Sequence, residues 1–267
     1  MTDKRRIGEM EKAMERYRIL DEIRGVTICS MILYHTVWDL VYIFERKWNW
    51  FYSDLAYLWQ QSICWCFIFL SGFCFSLGKK KIKRGLFILA AGILVTIVTC
   101  LITPSQRIFF GVLTLLGASM VIMFFGEKIW NMIPGNNVFR KIPSIAAMAV
   151  SFFLFLLTKG VNNGYLGIGD LYLWRLPKGL YQHGDFMTFI GFTREDFYSA
   201  DYFSLMPWFF LFMTGYFLFH AVKEKGWLSK LSELPSVGHF WGFCGRTSLW
   251  IYLIHQPIIY GILCVLN

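Results

Sequence analysis

An arginine and a histidine, Arg24 and His35, lie eleven residues apart within one apolar stretch of the chain. Eleven residues make almost three α-helical turns, so both side chains lie on nearly the same helix face, roughly 16 Å apart along the axis. That distance is about half the hydrocarbon thickness of a bilayer. Ionisable side chains in such a stretch are costly to bury and mark a functional site by default.

Asp39 follows His35 by four residues and shares its helix face. A carboxylate bonded to one imidazole nitrogen fixes the tautomer and raises the basicity of the other nitrogen, as a general base requires. A structural hydrogen bond to a neighbouring helix is the alternative. Because Arg24 lies on the same face, we favour the chemical interpretation and predict His35 and Asp39 as the catalytic pair.

Arg24 opens this stretch three residues after Asp21. Its planar guanidinium is suited to binding a phosphate or a carboxylate group of a ligand. Asp21 lies in the expected first turn of the helix, where a carboxylate interacts favourably with the helix dipole. For Asp21, capping of the helix is the alternative to ligand binding.

A second polar group lies in the last apolar stretch, where His255, Gln256 and Pro257 are consecutive. A proline inside a helix frees a backbone carbonyl one turn earlier and kinks the helix. Tyr252 precedes His255 by three residues and shares its side of the helix. We predict that Tyr252, His255 and Gln256 line a polar pocket at membrane depth. Hydrogen bonds between helices are the alternative.

Three residues at the ends of other apolar stretches are candidates for contact with a ligand at the outer membrane boundary. They are Arg107, Asp201 and Trp208. Tryptophan and basic residues are also common where a chain meets the membrane surface. We predict these three as pocket or acceptor contacts, with anchoring at the interface as the alternative.

The composition is that of an integral membrane protein. Hydrophobic residues make up 56% of the 267 and charged residues only 16%, which lies outside the soluble average. The net charge of +9 is concentrated in short segments between alternate apolar stretches, as the positive-inside rule describes. We therefore predict membrane lipid, and no nucleic acid, as a partner. The spacing of the seven cysteines predicts neither a disulfide framework nor a metal site.

Hydropathy predicts an all-α, polytopic membrane bundle with about seven transmembrane helices. Placing the basic segments in the cytosol puts the N-terminus inside and the C-terminus outside. Residues 159–202 then form a long outer loop, either a functional lid or a plain connector. The run Leu171 to Leu176 is the candidate for a short interfacial helix or a re-entrant piece in that loop, with Tyr172 and Trp174 at headgroup depth. The predicted spans cover residues 22–44, 55–77, 85–103, 108–125, 142–158, 203–222 and 247–266.

These motifs resemble the catalytic domain of heparan-alpha-glucosaminide N-acetyltransferase and its bacterial relatives, within the wider acyltransferase-3 superfamily. The opening signature of that family, Leu-Asp-x-x-Arg-Gly followed by Tyr-His-x-x-Trp-Asp-Leu, is matched by residues 20–25 and 34–40. The resemblance covers nearly the whole chain. One departure is Thr114, where many relatives have histidine. Further stretches that agree are 69–72, 110–113, 201–208 and 248–257.

The resemblance implies a membrane acyltransferase that moves an acetyl or other acyl group from cytosolic acyl-CoA to an amine or hydroxyl of an extracytoplasmic glycan. Arg24 and Asp21 would then bind acetyl-CoA, the co-substrate, at the cytosolic mouth. His35 would deprotonate the acceptor or carry the acyl group transiently. The domain similar to an acyltransferase would cover residues 19–267, after a charged cytosolic segment at 1–18, in a bacterial plasma membrane.

Two other classes of function stay open on the sequence. A proton-coupled transporter or flippase would use His35, Asp39 and His255 as a proton relay, although the inverted repeat typical of transporters is not seen. A non-catalytic membrane scaffold is motivated by Thr114. The oligomeric state also stays open, with a homo-oligomer among the alternatives.

Overall fold

The computed structural model describes residues 17–132, 142–169 and 171–266. Most of the charged segment predicted at 1–18 therefore lies outside the described residues. Long helices dominate the described part of the chain and confirm the all-α fold. The helices are α1 (Arg18–Tyr42), α2 (Asp54–Phe75), α3 (Lys81–Ile102), α4 (Val112–Met132), α5 (Ser144–Leu157), α6 (Gly184–Ile190), α7 (Leu205–Glu224), α8 (Leu228–Ser232), α9 (His239–Arg246) and α10 (Ser248–Leu266).

Among the described residues, six helices are long and apolar enough to cross a membrane: α2, α3, α4, α5 with the turn that follows it, α7 and α10. This confirms a polytopic membrane protein. Helix α1, the first predicted span, is long enough at 25 residues. Its polar residues, which include His35 and Asp39, make it less apolar than the other six. The count of seven spans therefore stays a prediction.

The chain divides into two compact units, and α2 contributes to both. The first unit comprises Met1–Phe67 and Lys225–Asn267, and the second comprises Ile68–Glu224. The first therefore contains α1, the start of α2, and α8 to α10. The single membrane domain expected over 19–267 stays a prediction.

In the first unit, α1 and α9 pack with their backbones in contact. A Cβ atom at Gly25 would collide with the backbone carbonyl of Trp241, and one at Gly245 with that of Asp21. Small residues allow this close approach between helices in lipid. Next to the contact, the Trp59 indole N–H of α2 donates a hydrogen bond of 2.8 Å to the Ser30 hydroxyl. Helix α1 therefore contacts α9 near its start and α2 near its middle.

In the second unit, glycines again allow pairs of helices to pack with their backbones close together. A Cβ at Gly117 would overlap the backbone of Leu89, which brings α3 and α4 together. A Cβ at Gly215 of α7 would overlap the carbonyl of Phe69 in α2. Thr114 lies on α4 opposite Gly92 of α3, with its hydroxyl 2.6 Å from where a Cβ of Gly92 would stand. Thr114 is thus part of a helix-packing contact.

The long loop contains a two-stranded antiparallel sheet, β1 (Tyr165–Ile168) and β2 (Leu171–Arg175). The run Leu171 to Leu176 does not form a helix, because Leu171–Arg175 form β2, and the interfacial position expected for the run stays a prediction. Alternating leucine and aromatic residues favour a strand, and Gly169 supplies the positive φ of 59° for the turn. The short helix of this loop is α6, further along the chain.

A hydrogen-bond network orders the rest of the loop. The Asn162 amide donates to the hydroxyls of Thr193 at 2.9 Å and Ser204 at 3.0 Å. The Tyr202 hydroxyl donates to the Thr188 carbonyl at 2.5 Å. Burial raises the pKa of Tyr202, so this hydroxyl keeps its proton at neutral pH. The loop is therefore a folded element of the second unit.

Replacing Gly245 by alanine is expected to destabilise the protein, because the new methyl group would meet the Asp21 carbonyl. Overpacking of this kind costs about 1–3 kcal/mol. The matched control is Gly261→Ala in α10, where a Cβ meets nothing within 4 Å and alanine is the better helix former. Thermal unfolding in detergent should show a lower midpoint for the first variant and an unchanged or higher midpoint for the second. Equal midpoints would contradict the backbone contact.

Candidate active site

Two histidines from opposite ends of the sequence meet in the first unit. The ring centroids of His35 on α1 and His255 on α10 are 5.0 Å apart, with an angle of 57° between the ring planes. Tyr34 lies edge-on to His35 at 5.9 Å, and Tyr252 lies 5.4 Å from His255. Three of the predicted site residues, His35, His255 and Tyr252, are therefore brought together by the packing of α10 on α1.

Asp39 is fully buried and is held by α10. Its Oδ1 accepts a hydrogen bond of 2.7 Å from the side-chain amide of Gln256. Within the described residues no hydrogen bond joins Asp39 to His35, so the direct pair expected from their spacing is not formed. The reason is that the Gln256 amide nitrogen donates to the carboxylate across the helix contact, while the His35 ring lies tilted against that of His255.

The tautomer of His255 follows from its hydrogen bond to the backbone. Its Nδ1 lies 2.6 Å from the carbonyl oxygen of Tyr252. A carbonyl oxygen only accepts hydrogen bonds, so Nδ1 carries the proton. In the neutral ring, Nε2 then has a free lone pair, and this buried atom has no hydrogen-bond partner within the described residues. The Tyr252 carbonyl therefore fixes the orientation of the His255 ring.

Three buried polar atoms of this group are unpartnered in the part of the chain that the structure describes: Nε2 of His255, Oδ2 of Asp39 and Oε1 of Gln256. All three are hydrogen-bond acceptors, since the Gln256 amide nitrogen already donates to Asp39. Each such buried group costs about 1–3 kcal/mol if it stays unpaired. The arrangement is therefore suited to a ligand group that brings N–H or O–H donors.

Arg24 and Asp21 are paired with each other near the start of α1. The Arg24 Nη1 lies 3.2 Å from the Asp21 Oδ1, and their side chains are only 15% and 8% exposed. The N-cap residue of α1 is Tyr17, and its side chain makes no capping hydrogen bond among the described residues. The guanidinium has five N–H donors, and the contact with Asp21 orients it.

Glu22 is a buried residue that the sequence reasoning missed. It is 2% exposed and accepts hydrogen bonds from the Ser236 hydroxyl and, at 2.8 Å, from the Val237 backbone N–H. These donors precede α9, so Glu22 fastens α9 to the start of α1. The sequence offers no separate signal for the role of Glu22, which follows Asp21 in a charged first turn. Its partners lie more than 200 residues later in the chain.

The three residues predicted at the outer membrane boundary all lie in the second unit: Arg107, Asp201 and Trp208. The Arg107 guanidinium stands over the Tyr198 ring at 5.9 Å. The Asp201 carboxylate faces the first backbone N–H of α4, at Val112, with a separation of 3.5 Å. Trp208 packs against Phe203, with ring centroids 5.1 Å apart. These contacts place all three in the folded loop and its supporting helices, and their contact with an acceptor stays a prediction.

Together, the fold and the buried group define an integral membrane protein with imidazole, carboxylate and amide side chains enclosed between two helices. A comparison with protein families matches residues 16–257 to the family described as heparan-alpha-glucosaminide N-acetyltransferase, catalytic. The match spans nearly the whole chain, and the chain belongs to this family. Membership indicates a membrane acetyltransferase. Comparisons with curated proteins and with solved structures give no match.

Replacing Glu22 by alanine should destabilise the first unit, because two hydrogen-bond donors ahead of α9 lose their carboxylate acceptor. Hydrogen bonds to charged groups contribute about 1.5–3 kcal/mol. Glu233→Ala is the control, since Glu233 is exposed in the same unit. Thermal unfolding, or proteolysis at residues 233–238, should separate the two variants. Unchanged stability in the first variant would show that this anchor is unimportant.

Proposed function

We propose that the protein transfers an acetyl or other acyl group from cytosolic acyl-CoA to an amine or hydroxyl of an extracytoplasmic acceptor, an amino sugar or other glycan of the cell envelope. The observation that carries this proposal is the set of unpartnered acceptor atoms on His255, Asp39 and Gln256 beside His35. An acceptor amine or hydroxyl brings the N–H or O–H donors that these atoms lack.

In this proposal His35 is the general base. It takes the proton from the acceptor nitrogen or oxygen as that atom attacks the acyl carbonyl carbon, and the carbon–sulfur bond of the thioester breaks. The departing thiolate then takes up the proton that His35 holds. Transient transfer of the acyl group onto the imidazole is the second route open to the same residue. In that route the imidazole nitrogen bonds to the acyl carbon as the carbon–sulfur bond breaks, and the acceptor then takes the acyl group from the imidazole while its proton passes to the thiolate.

Asp39 and His255 support His35 through position and charge. Asp39 stands one helical turn beyond His35, and a buried carboxylate there stabilises the imidazolium that forms during proton transfer. His255 has its proton on Nδ1 and so presents only an acceptor to the incoming group. Gln256 holds the carboxylate in place. Each of the four residues thus has a separate task.

Arg24 is proposed to bind the phosphate groups of acyl-CoA. It lies almost three helical turns before His35, roughly 16 Å along the axis, a separation that an extended pantetheine arm can span. Pairing with Asp21 keeps the guanidinium near this position. With the basic segments in the cytosol, the donor enters from inside and the acceptor from outside, in the plasma membrane of a bacterium.

His35→Ala is expected to abolish acyl transfer, because general base catalysis contributes about 10²–10⁴-fold to rate. The assay uses purified protein in nanodiscs with radiolabelled acetyl-CoA and a mixture of amino sugars and envelope glycans. The control is His183→Ala, since His183 is exposed in the second unit, and this variant should keep full activity. Wild-type protein that neither binds acetyl-CoA nor transfers the label would contradict the proposed function.

Arg24→Ala should raise the KM for acetyl-CoA about tenfold or more while kcat changes less, since a charged hydrogen bond in the bound state is lost. Arg24→Lys keeps the charge without the planar fork and should recover part of the affinity. Arg18→Ala, which removes an exposed arginine at the same end of α1, is the matched control. A fall in kcat with an unchanged KM would exclude donor binding as the role of Arg24.

A further inference from the structure

The β-hairpin of the long loop is fastened directly to the end of a membrane-spanning helix. Helix α5 ends at Leu157, and the Tyr165 ring of β1 occupies the space beside Gly160, where a Cβ would collide with it. The Leu176 N–H then donates to the Gly164 carbonyl at 2.8 Å and closes the base of the hairpin. These contacts hold the hairpin against the end of α5, a helix long and apolar enough to cross a membrane.

Strand β2 is exposed on both faces although its side chains are large and apolar. The exposed fractions are 61% for Leu171, 70% for Tyr172, 53% for Leu173 and 69% for Trp174. An exposed apolar edge strand in water is an aggregation hazard, which proteins in solution avoid with charges or a covering element. Four consecutive residues of this kind therefore require a non-aqueous surrounding.

Helix α5, which leads into the hairpin, has exposed apolar side chains of its own. Val150 and Phe153 of α5 are 58% and 51% exposed, and in a membrane span these side chains lie against acyl chains. Tyrosine and tryptophan are enriched closer to the membrane surface, at the level of the lipid headgroups. Two exposed cations, Arg175 and Lys178, follow the apolar run. Their charge complements lipid phosphates.

We propose that β2 is a membrane-surface anchor that lies in the headgroup region of the leaflet at which α5 ends. Tyr172 and Trp174 enter the interface between headgroups and acyl chains, and Leu171 and Leu173 cover adjacent lipid. Arg175 and Lys178 bind phosphate groups. The anchor fixes the folded loop against the bilayer surface, and it is independent of the proposed acyl transfer.

The test measures the depth of β2 in the complete protein. Tyr172 is replaced by 4-trifluoromethyl-phenylalanine, which keeps an aromatic ring against Tyr165, and the protein is placed in nanodiscs of phosphatidylcholine and phosphatidylglycerol. Fluorine relaxation is compared between a nitroxide on the lipid headgroup and a gadolinium chelate in the water. The same label at Trp174 gives a second, independent variant, and the label at Phe153 gives the acyl-chain reference.

We expect the headgroup nitroxide to enhance relaxation at positions 172 and 174 severalfold more than the aqueous gadolinium, with Phe153 protected from the gadolinium. A gadolinium effect as large as the nitroxide effect would overturn the proposal, because β2 would then face water, as a glycan-binding strand must. Protection from both reagents would also overturn it, since β2 would then be covered by protein, such as a second copy of this chain.

Discussion

The backbone contact between α1 and α9 is the constraint on which the first unit depends. Gly25 and Gly245 are more than 200 residues apart in the chain, yet each lies against a carbonyl of the other helix. Without a side chain at either position, the helices approach closely enough for Glu22 to accept hydrogen bonds from the residues ahead of α9. Helix α10 follows α9 after one residue, so its placement against α1, and with it the meeting of His255 and His35, follows from this contact.

The unpaired polar groups of this site favour the binding of a ligand, because leaving them unpaired in a membrane span is destabilising. In lipid a buried carboxylate or imidazole without partners is destabilising. The structure offsets part of that cost with the hydrogen bonds from Gln256 to Asp39 and from His255 to the Tyr252 carbonyl. It leaves one acceptor atom on each of three side chains without a partner among the described residues. These unpaired acceptor atoms favour a ligand that brings N–H or O–H donors. Such a ligand explains why polar side chains occupy this site.

Several features were predictable from spacing and composition. The helix period placed Arg24, His35 and Asp39 on one face of α1. Hydropathy located the ends of the apolar helices to within four residues, except that α4 continues seven residues beyond the predicted span. The strand at Leu171–Arg175 was not predicted, because four apolar residues followed by Arg175 are too short a run for hydropathy to separate a strand from a helix. Glu22 and Gln256 acquired their partners only through folding, because those partners lie more than 200 residues away in the chain.

The sequence by itself determined the membrane class, the family signature and the residues on one face of α1, because these depend on local composition and on the 3.6-residue period. Only the tertiary structure decided which polar atoms pair. It joined Asp39 to Gln256 where the spacing had favoured His35, and it set the tautomer of His255. The physical reason is that a hydrogen bond forms between the groups that packing brings within about 3 Å. Spacing along one helix cannot show what a second helix will present.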